Sequence, residues 1–262
     1  DAGNGASGNA LSEFDLNGTS TAGEDGLTVD GVMYTFPLGE LTAFVGDNTD
    51  ASALFTTACT YGGPSNTLDD CGNVNAGVTG GGTAAGASYD FDNGFTVAAG
   101  YAGTSAANSG LMTDEGVDVF GVNAAYTTDT YGVSLTYGSV ERGTTEDAYT
   151  AFNGYWSPEG FPSISMGYEL KDIGGAAASV DEATSFFIGL QFDDFGPGTF
   201  GFAYGTKEPT VENVSEEYMY EAYYSYPVND GMTITPVIYT KESATSGQDD
   251  ASGFIVKTSF SF

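Results

Sequence analysis

Histidine is missing from this chain of 262 residues, and only five of its residues are Lys or Arg. Histidine is the usual general base and the commonest metal ligand, so its absence excludes a Ser-His-Asp hydrolase and argues against a metal centre. Nucleic-acid binding needs basic residues to neutralise phosphates, and five bases against 36 acids disfavour it. We therefore predict no catalytic residue, no metal, no cofactor and no nucleic-acid partner.

Long apolar runs are also missing. No stretch approaches the roughly 18 to 20 apolar residues that a membrane helix needs, and the mean hydropathy is −0.12. A β-barrel escapes this test, because lipid-facing and lumen-facing residues alternate along each strand and cancel in any window. The composition is therefore compatible with a membrane protein of the barrel kind only.

The formal net charge of −31 is the strongest bias in the composition. A field of this sign attracts cations to the protein surface. Proteins adapted to salt also carry acidic surfaces, so habitat is an alternative explanation of the charge.

Cysteine is scarce, and Cys59 and Cys71 cannot form a zinc site alone. Their spacing suits a disulfide that closes a small loop in an oxidising compartment, with free thiols as the alternative. The chain opens without a signal peptide. We therefore expect either a mature protein or part of a longer one.

What the chain does contain is period-two alternation, clearest in its last residues. Phe254, Val256, Thr258, Phe260 and Phe262 fall on one face, and polar residues fall on the other. An apolar row backed by a polar row suits a strand in the wall of a membrane barrel, and the edge strand of a soluble sandwich is the alternative. The segment resembles the C-terminal strand of bacterial outer-membrane proteins, which implies that Phe260 and Phe262 form an assembly signal.

Similar alternating segments run through the chain in pairs, joined by tight turns at one end and longer acidic links at the other. Asn-Gly and Asp-Gly steps supply the positive φ of hairpin turns, and aromatic residues flank these turns as in a membrane-interface girdle. The pattern predicts an all-β fold, a transmembrane antiparallel up-and-down β-barrel. About thirteen strands are visible, near 28–36, 40–48, 83–91, 95–104, 117–127, 131–141, 147–156, 162–172, 184–192, 199–207, 216–226, 232–241 and 252–262.

An odd strand number conflicts with the even number of bacterial barrels. With short turns on the periplasmic side, the first strand would descend, and the irregular segment 1–26 would begin outside the cell. We therefore expect an odd number of N-terminal strands to be missing.

Two hairpins carry a family resemblance. The runs 221–239 and 32–46 resemble hairpins of cyanobacterial outer-membrane porins of the carbohydrate-selective (OprB-type) family, which includes iron-uptake porins. The resemblance covers most of residues 27–262 and implies that they are the C-terminal part of a single porin barrel of about sixteen strands. It also implies a preceding S-layer-homology domain that binds peptidoglycan, which this sequence lacks.

The longest link, 49–82, contains Asp50, Asp69, Asp70 and both cysteines. A loop of this length without secondary structure is usually functional or disordered, and a disulfide favours an ordered one. In many general porins the corresponding loop folds into the pore. We therefore expect an in-folded loop whose acids line a constriction.

Basic residues occur only after residue 141. Strand parity turns the lysines toward the lumen, and acids on the loop opposite these bases would create a transverse field that favours charged or hydrated solutes. The alternative is that lumen residues are simply polar. The predicted lumen-facing bases are Lys171, Lys207, Lys241, Lys257 and Arg142.

Glycines on the predicted lumen face either leave room for the in-folded loop or relieve strain in a curved sheet. They are Gly121, Gly138, Gly167, Gly189, Gly201 and Gly205.

The sequence thus predicts a porin in the outer membrane of a Gram-negative, cyanobacterial cell, not an enzyme. Inorganic ions, iron included, and small hydrophilic solutes would diffuse passively through its water-filled lumen, and sugars are the parent family's substrates. Expected partners are membrane lipid, lipopolysaccharide and, as in many porins, two further copies of the chain in a homotrimer. The alternatives are a plugged structural or surface-recognition barrel, such as a phage receptor, and a soluble acidic β-sandwich.

Overall fold

A computed structural model describes residues 2–3, 26–27, 31–77, 82–104, 116–176, 180–243 and 249–261. Within these ranges, no helix is long and apolar enough to cross a membrane. The strands are β1 (Ala2–Gly3), β2 (Gly26–Leu27), β3 (Val32–Leu38), β4 (Leu41–Thr49), β5 (Gly82–Asp90), β6 (Phe95–Thr104), β7 (Val117–Thr127), β8 (Tyr131–Arg142), β9 (Thr145–Trp156), β10 (Ser163–Asp172), β11 (Glu182–Phe195), β12 (Gly198–Thr206), β13 (Thr210–Val211), β14 (Tyr218–Asn229), β15 (Met232–Lys241) and β16 (Ala251–Phe260).

Thirteen of these strands form one sheet in which each strand pairs antiparallel with the next along the chain, from β3 to β16. The short β13 lies off this path and pairs with β11, and β1 pairs with β2 separately. The predicted antiparallel up-and-down fold is confirmed, and each predicted strand lies within a few residues of an observed one. Among the described residues, β3 and β16 end the path and do not pair with each other.

Tight turns form where the sequence places its Gly, Asn and Asp residues. Gly39 between β3 and β4 has φ of 67°, and Gly94 between β5 and β6 has φ of 87°. Such positive angles are disfavoured for residues with a Cβ, so glycine fixes the position of these turns. The alternating register of the hairpins follows from them.

The two faces of the sheet differ in residue type, as period-two alternation requires. One face carries exposed large apolar side chains, including Phe120, Leu135, Phe152, Met166 and Ile188. The opposite face, here called the inner face, carries small and polar residues that are mostly buried.

The described core lies between the inner face and the link that connects β4 to β5. One apolar cluster includes Ala51 and Ala76 from this link and Phe44 and Tyr149 from the strands. The other includes Tyr61, Leu68 and Cys71 of the link with wall residues such as Phe187. The link therefore folds back over the inner face.

Two predictions lie largely or wholly outside the described residues. Of the segment 1–26, only Ala2–Gly3 and Gly26 are described, and they belong to the small β1–β2 pair. Of the predicted assembly signal, Phe260 ends β16 and is exposed, whereas Phe262 is outside the described ranges.

Candidate functional site: a loop across the inner face

The described part of the β4–β5 link, residues 50–77, is called the inner loop below. Its outbound half runs across neighbouring strands and donates backbone N–H groups to polar side chains of the inner face. These bonds join Thr56 to Asn123 Oδ1 at 2.9 Å, Ala58 to Ser134 Oγ at 2.9 Å, Thr60 to Ser165 Oγ at 2.9 Å and Gly62 to Gln191 Oε1 at 3.0 Å. The four acceptor side chains lie on β7, β8, β10 and β11, respectively.

The far end of the loop is held on β14 and β15. Glu221 on β14 is 1% exposed; its carboxylate accepts hydrogen bonds from the Tyr61 hydroxyl at 2.7 Å and from Ser65 N at 3.1 Å. Lys241 Nζ at the end of β15 donates to Thr67 Oγ1 at 3.0 Å. The loop therefore spans the inner face from β7 to β15.

The return half of the loop crosses back toward β10. Asn153 Nδ2 on β9 donates to the carbonyl oxygen of Cys71 at 2.8 Å. Glu169 on β10 is 1% exposed and accepts three bonds of 2.7 Å, from Asn75 N, Asn75 Nδ2 and Ala76 N. Side chains of the strands thus satisfy backbone groups of a loop that forms turns but no helix or strand of its own.

Cys59 and Cys71 are joined by a disulfide that links the outbound half of the inner loop to the return half. The bond closes a ring with a sequence separation of 12. Such a ring restricts the conformations of the undocked loop, so the bond favours one ordered arrangement.

Glycines on the inner face let the loop approach the wall closely. A Cβ on Gly167 would lie 1.8 Å from the carbonyl oxygen of Cys71, and one on Gly121 would lie 3.0 Å from the ring of Phe55 in the loop. At these two positions, the space that glycine leaves is taken by the loop, which favours the first of the two explanations that the sequence left open.

The three predicted loop acids line one cavity. Asp50, Asp69 and Asp70 border a space of about 410 Å³ together with Asn73 and the disulfide. In the described part of the chain, no group of three or more metal-ligating residues is placed to hold a metal ion. The described lining of the cavity is therefore rich in carboxylates.

Electrostatics in this cavity disfavour full ionisation of Asp70. Asp70 is an exposed residue, and the protein replaces part of the water around its carboxyl. Incomplete hydration, followed by the nearby charges of Asp69 and Glu169, raises the pKa of Asp70 to about 7. Asp70 therefore changes charge near neutral pH.

Two of the predicted lumen-facing lysines form ion pairs. Lys171 Nζ lies 3.2 Å from an Asp147 carboxylate oxygen, and Lys207 Nζ lies 2.8 Å from Glu217 Oε2. Each pair largely cancels the charge that the lysine would contribute across the lumen. The predicted transverse field is thereby weakened.

The other predicted bases differ in their surroundings. Lys241 contacts the inner loop itself. Lys257 is exposed on β16 and is in register with Thr235, a buried residue of the inner face. Arg142 ends β8, and its side chain is outside what the structure describes.

The sequence prediction did not name the wall residues that hold the loop, chiefly Glu169, Glu221, Asn123 and Asn153. A signal for them was present, because all four occupy inner-face positions of predicted strands. An acid or amide in the middle of a strand needs partners when it is buried. The loop that supplies those partners lies about 70 to 160 residues away in the chain, a distance at which no local pattern indicates pairing.

An up-and-down antiparallel sheet with an apolar outer face and an inner loop has the porin type of transmembrane β-barrel fold. Among solved structures, the chain is similar to OmpT of Vibrio cholerae lacking its loop L8, an outer-membrane protein, at a TM-score of 0.62 and 12% identity over 89% of this chain and 80% of that one. It is similar to Pseudomonas putida OprB at 0.60 and 13%, over 88% and 72%. It is also similar to a mutant of Rh. blastica porin at 0.58 and 13%, over 89% and 77%.

These identities establish a shared fold and no more. No model of a protein family matches the chain, and no curated protein matches its sequence. The resemblance to the OprB-type family therefore remains a prediction.

Proposed function

We propose that the chain is an outer-membrane porin through which small hydrophilic solutes diffuse passively, without a chemical step. The observation that carries this proposal is the acid-lined cavity of about 410 Å³ whose described lining belongs to the inner loop. A loop that narrows a lumen without filling it selects solutes by size and by lining charge. The porin folds of the similar structures support the same function by analogy.

The lining charge favours cations. Asp50, Asp69 and Asp70 border the cavity, whereas Lys171 and Lys207 are ion-paired with Asp147 and Glu217. Carboxylates at a constriction attract cations and repel anions. Acid-lined selectivity is thus better supported than a strong transverse field.

The resemblance of the two hairpins supports a finer proposal. The permeant species are inorganic ions, iron included, in the outer membrane of a cyanobacterial cell, with sugars as the parent family's alternative. A homotrimer, lipopolysaccharide contacts and a peptidoglycan-binding domain belong to the same proposal.

The decisive experiment is single-channel conductance of the full-length natural protein in a planar bilayer under a salt gradient. Discrete conductance steps and a reversal potential that indicates cation preference are expected. Replacing Asp69 and Asp70 together by Asn should shift the reversal potential toward anions, because two carboxylates leave the cavity.

The matched control replaces Asp249 and Asp250, two exposed acids in the β15–β16 link, by Asn. At pH 8, where Asp70 is largely ionised, this variant removes about the same charge away from the cavity and should leave the reversal potential nearly unchanged. An unaltered potential in the Asp69/Asp70 variant would contradict the acid-lined constriction. Absence of conductance from folded wild-type protein would contradict the channel itself.

A plugged barrel used for recognition is the second candidate, and one observation favours it. Apolar side chains on both halves of the inner loop pack against the strands, including the partly buried Leu54 in one cluster and the buried Leu68 in the other. Packing of this kind resists displacement of the loop. Folded protein that never conducts would support this function.

A further inference from the structure

Two buried carboxylates on the inner face accept hydrogen bonds from the inner loop. Glu169 on β10 and Glu221 on β14 are each 1% exposed. The three hydrogen bonds to Glu169 come from Asn75 and Ala76, and Glu221 accepts bonds from Tyr61 and Ser65. All of these donors belong to the inner loop.

The burial of these two groups has a physical cost. A carboxylate removed from water is unfavourable unless hydrogen bonds replace its hydration. The backbone pairing of β10 and β14 proceeds in register through both positions without using the side chains. Backbone pairing in the sheet therefore does not depend on a carboxylate here, whereas the loop gains charge-assisted hydrogen bonds.

The two anchors hold different parts of the loop. Tyr61 and Ser65 lie within the ring that the Cys59–Cys71 disulfide closes, and Asn75 and Ala76 lie just after it. Glu221 thus holds the far end of the loop, while Glu169 holds the return half of the loop next to the acids of the cavity. The two carboxylates therefore hold the loop at one place inside the disulfide ring and at another just beyond it.

We propose that Glu169 and Glu221 are positioning residues that set the diameter of the constriction by holding the inner loop against the inner face of the sheet. Without either carboxylate, loop N–H groups lose their acceptors and the loop leaves the wall for part of the time. The effect on the diameter of the constriction rests on the proposed channel function, whereas the effect on the position of the loop does not.

The test compares Glu169→Ala and Glu221→Ala with wild type in single-channel records. Each charge-assisted hydrogen bond contributes a factor of roughly ten or more, so the ratio of undocked to docked loop should rise at least about tenfold. Frequent sublevels of higher conductance and passage of larger neutral polymers are expected. Resistance of each variant to SDS at room temperature shows that its β-barrel is folded.

Two further variants separate position from charge. Glu217 lies four residues before Glu221, and its carboxylate pairs with Lys207 and not with the inner loop. Glu217→Ala should therefore not admit larger polymers. Glu169→Gln removes the charge but keeps an acceptor, and should restore much of the docking that Glu169→Ala loses. If Glu169→Gln matched Glu169→Ala in polymer passage, lumen charge would explain the effect and the proposal would be overturned.

A readout independent of conductance is proteolysis of residues 50–77 in detergent-solubilised protein. Both alanine variants should be cut in the loop faster than wild type and Glu217→Ala, even if the wild-type barrel is plugged. Equal cutting rates in all variants would overturn the proposal. A silent wild type with faster cutting of the variants would refute the channel function alone.

Discussion

The outer and inner faces of the same strands show opposite relations between polarity and exposure. On β8, Leu135 is 55% exposed while its neighbour Ser134 is 2% exposed, and on β9 Phe152 is 47% exposed while Asn153 is fully buried. In a water-soluble sheet, the apolar face is buried and the polar face is wet. Here the apolar face is open, and the polar face is covered by the inner loop.

This inversion follows from what each face meets. A lipid environment accepts Leu and Phe without cost, so the outer face needs no protein cover. The inner face meets a loop with no secondary structure, and the backbone groups of that loop need hydrogen-bond partners. Ser134 and Asn153 supply such partners, to Ala58 and Cys71. The two faces therefore tolerate different substitutions.

The largest expected effect comes from placing a charge on the outer face. Leu135 lies near the middle of the 12-residue strand β8, so Leu135→Arg places a guanidinium near the bilayer midplane. Such a substitution destabilises a barrel by about 2–4 kcal/mol. Denaturant titration of the protein in lipid vesicles measures this loss. Leu135→Phe is the control and should be nearly neutral, and equal stabilities of the two variants would mean that lipid does not cover this face.

A smaller effect is expected where the inner face touches the loop. A Cβ on Gly167 would meet the Cys71 carbonyl oxygen at 1.8 Å, whereas one on Gly154 of the neighbouring strand would have no atom nearer than 3.4 Å. Gly167→Ala should therefore weaken loop docking by about 1–3 kcal/mol, and Gly154→Ala should not. Hydrogen exchange of the loop amides checks this difference. Equal exchange in both variants would show that the loop does not lie against Gly167.

The same contrast explains which features the sequence could predict. Alternation gives the faces and bounds of a strand from a few residues, so the thirteen strands and the outward row of Met166, Tyr168 and Leu170 were predictable. The partners of Glu169 and Glu221 were not, since those bonds span 93 to 160 residues. Nor did parity reveal that Lys171 pairs with Asp147 and Lys207 with Glu217, because each partner lies on another segment.

The smallest expected effect concerns the charge of the cavity on the inner side of the sheet. The chain has no histidine, and ordinary carboxyls titrate near pH 4, so few groups change charge between pH 8 and pH 6. Asp70 is one of them, because incomplete hydration and the charges of Asp69 and Glu169 raise its pKa to about 7.

As the pH falls through this value, Asp70 takes up a proton and the cavity loses one negative charge. The preference for cations should therefore be lower at pH 6 than at pH 8, which reversal potentials at the two pH values would reveal. Asp70→Asn should show the low-pH selectivity at both values, because the amide is neutral throughout. A wild-type potential that stays constant between pH 8 and pH 6 would mean that lumen water hydrates Asp70 well enough to keep it ionised. The acids of the loop would then act as fixed charges, and the selectivity of the constriction would not respond to pH in this range.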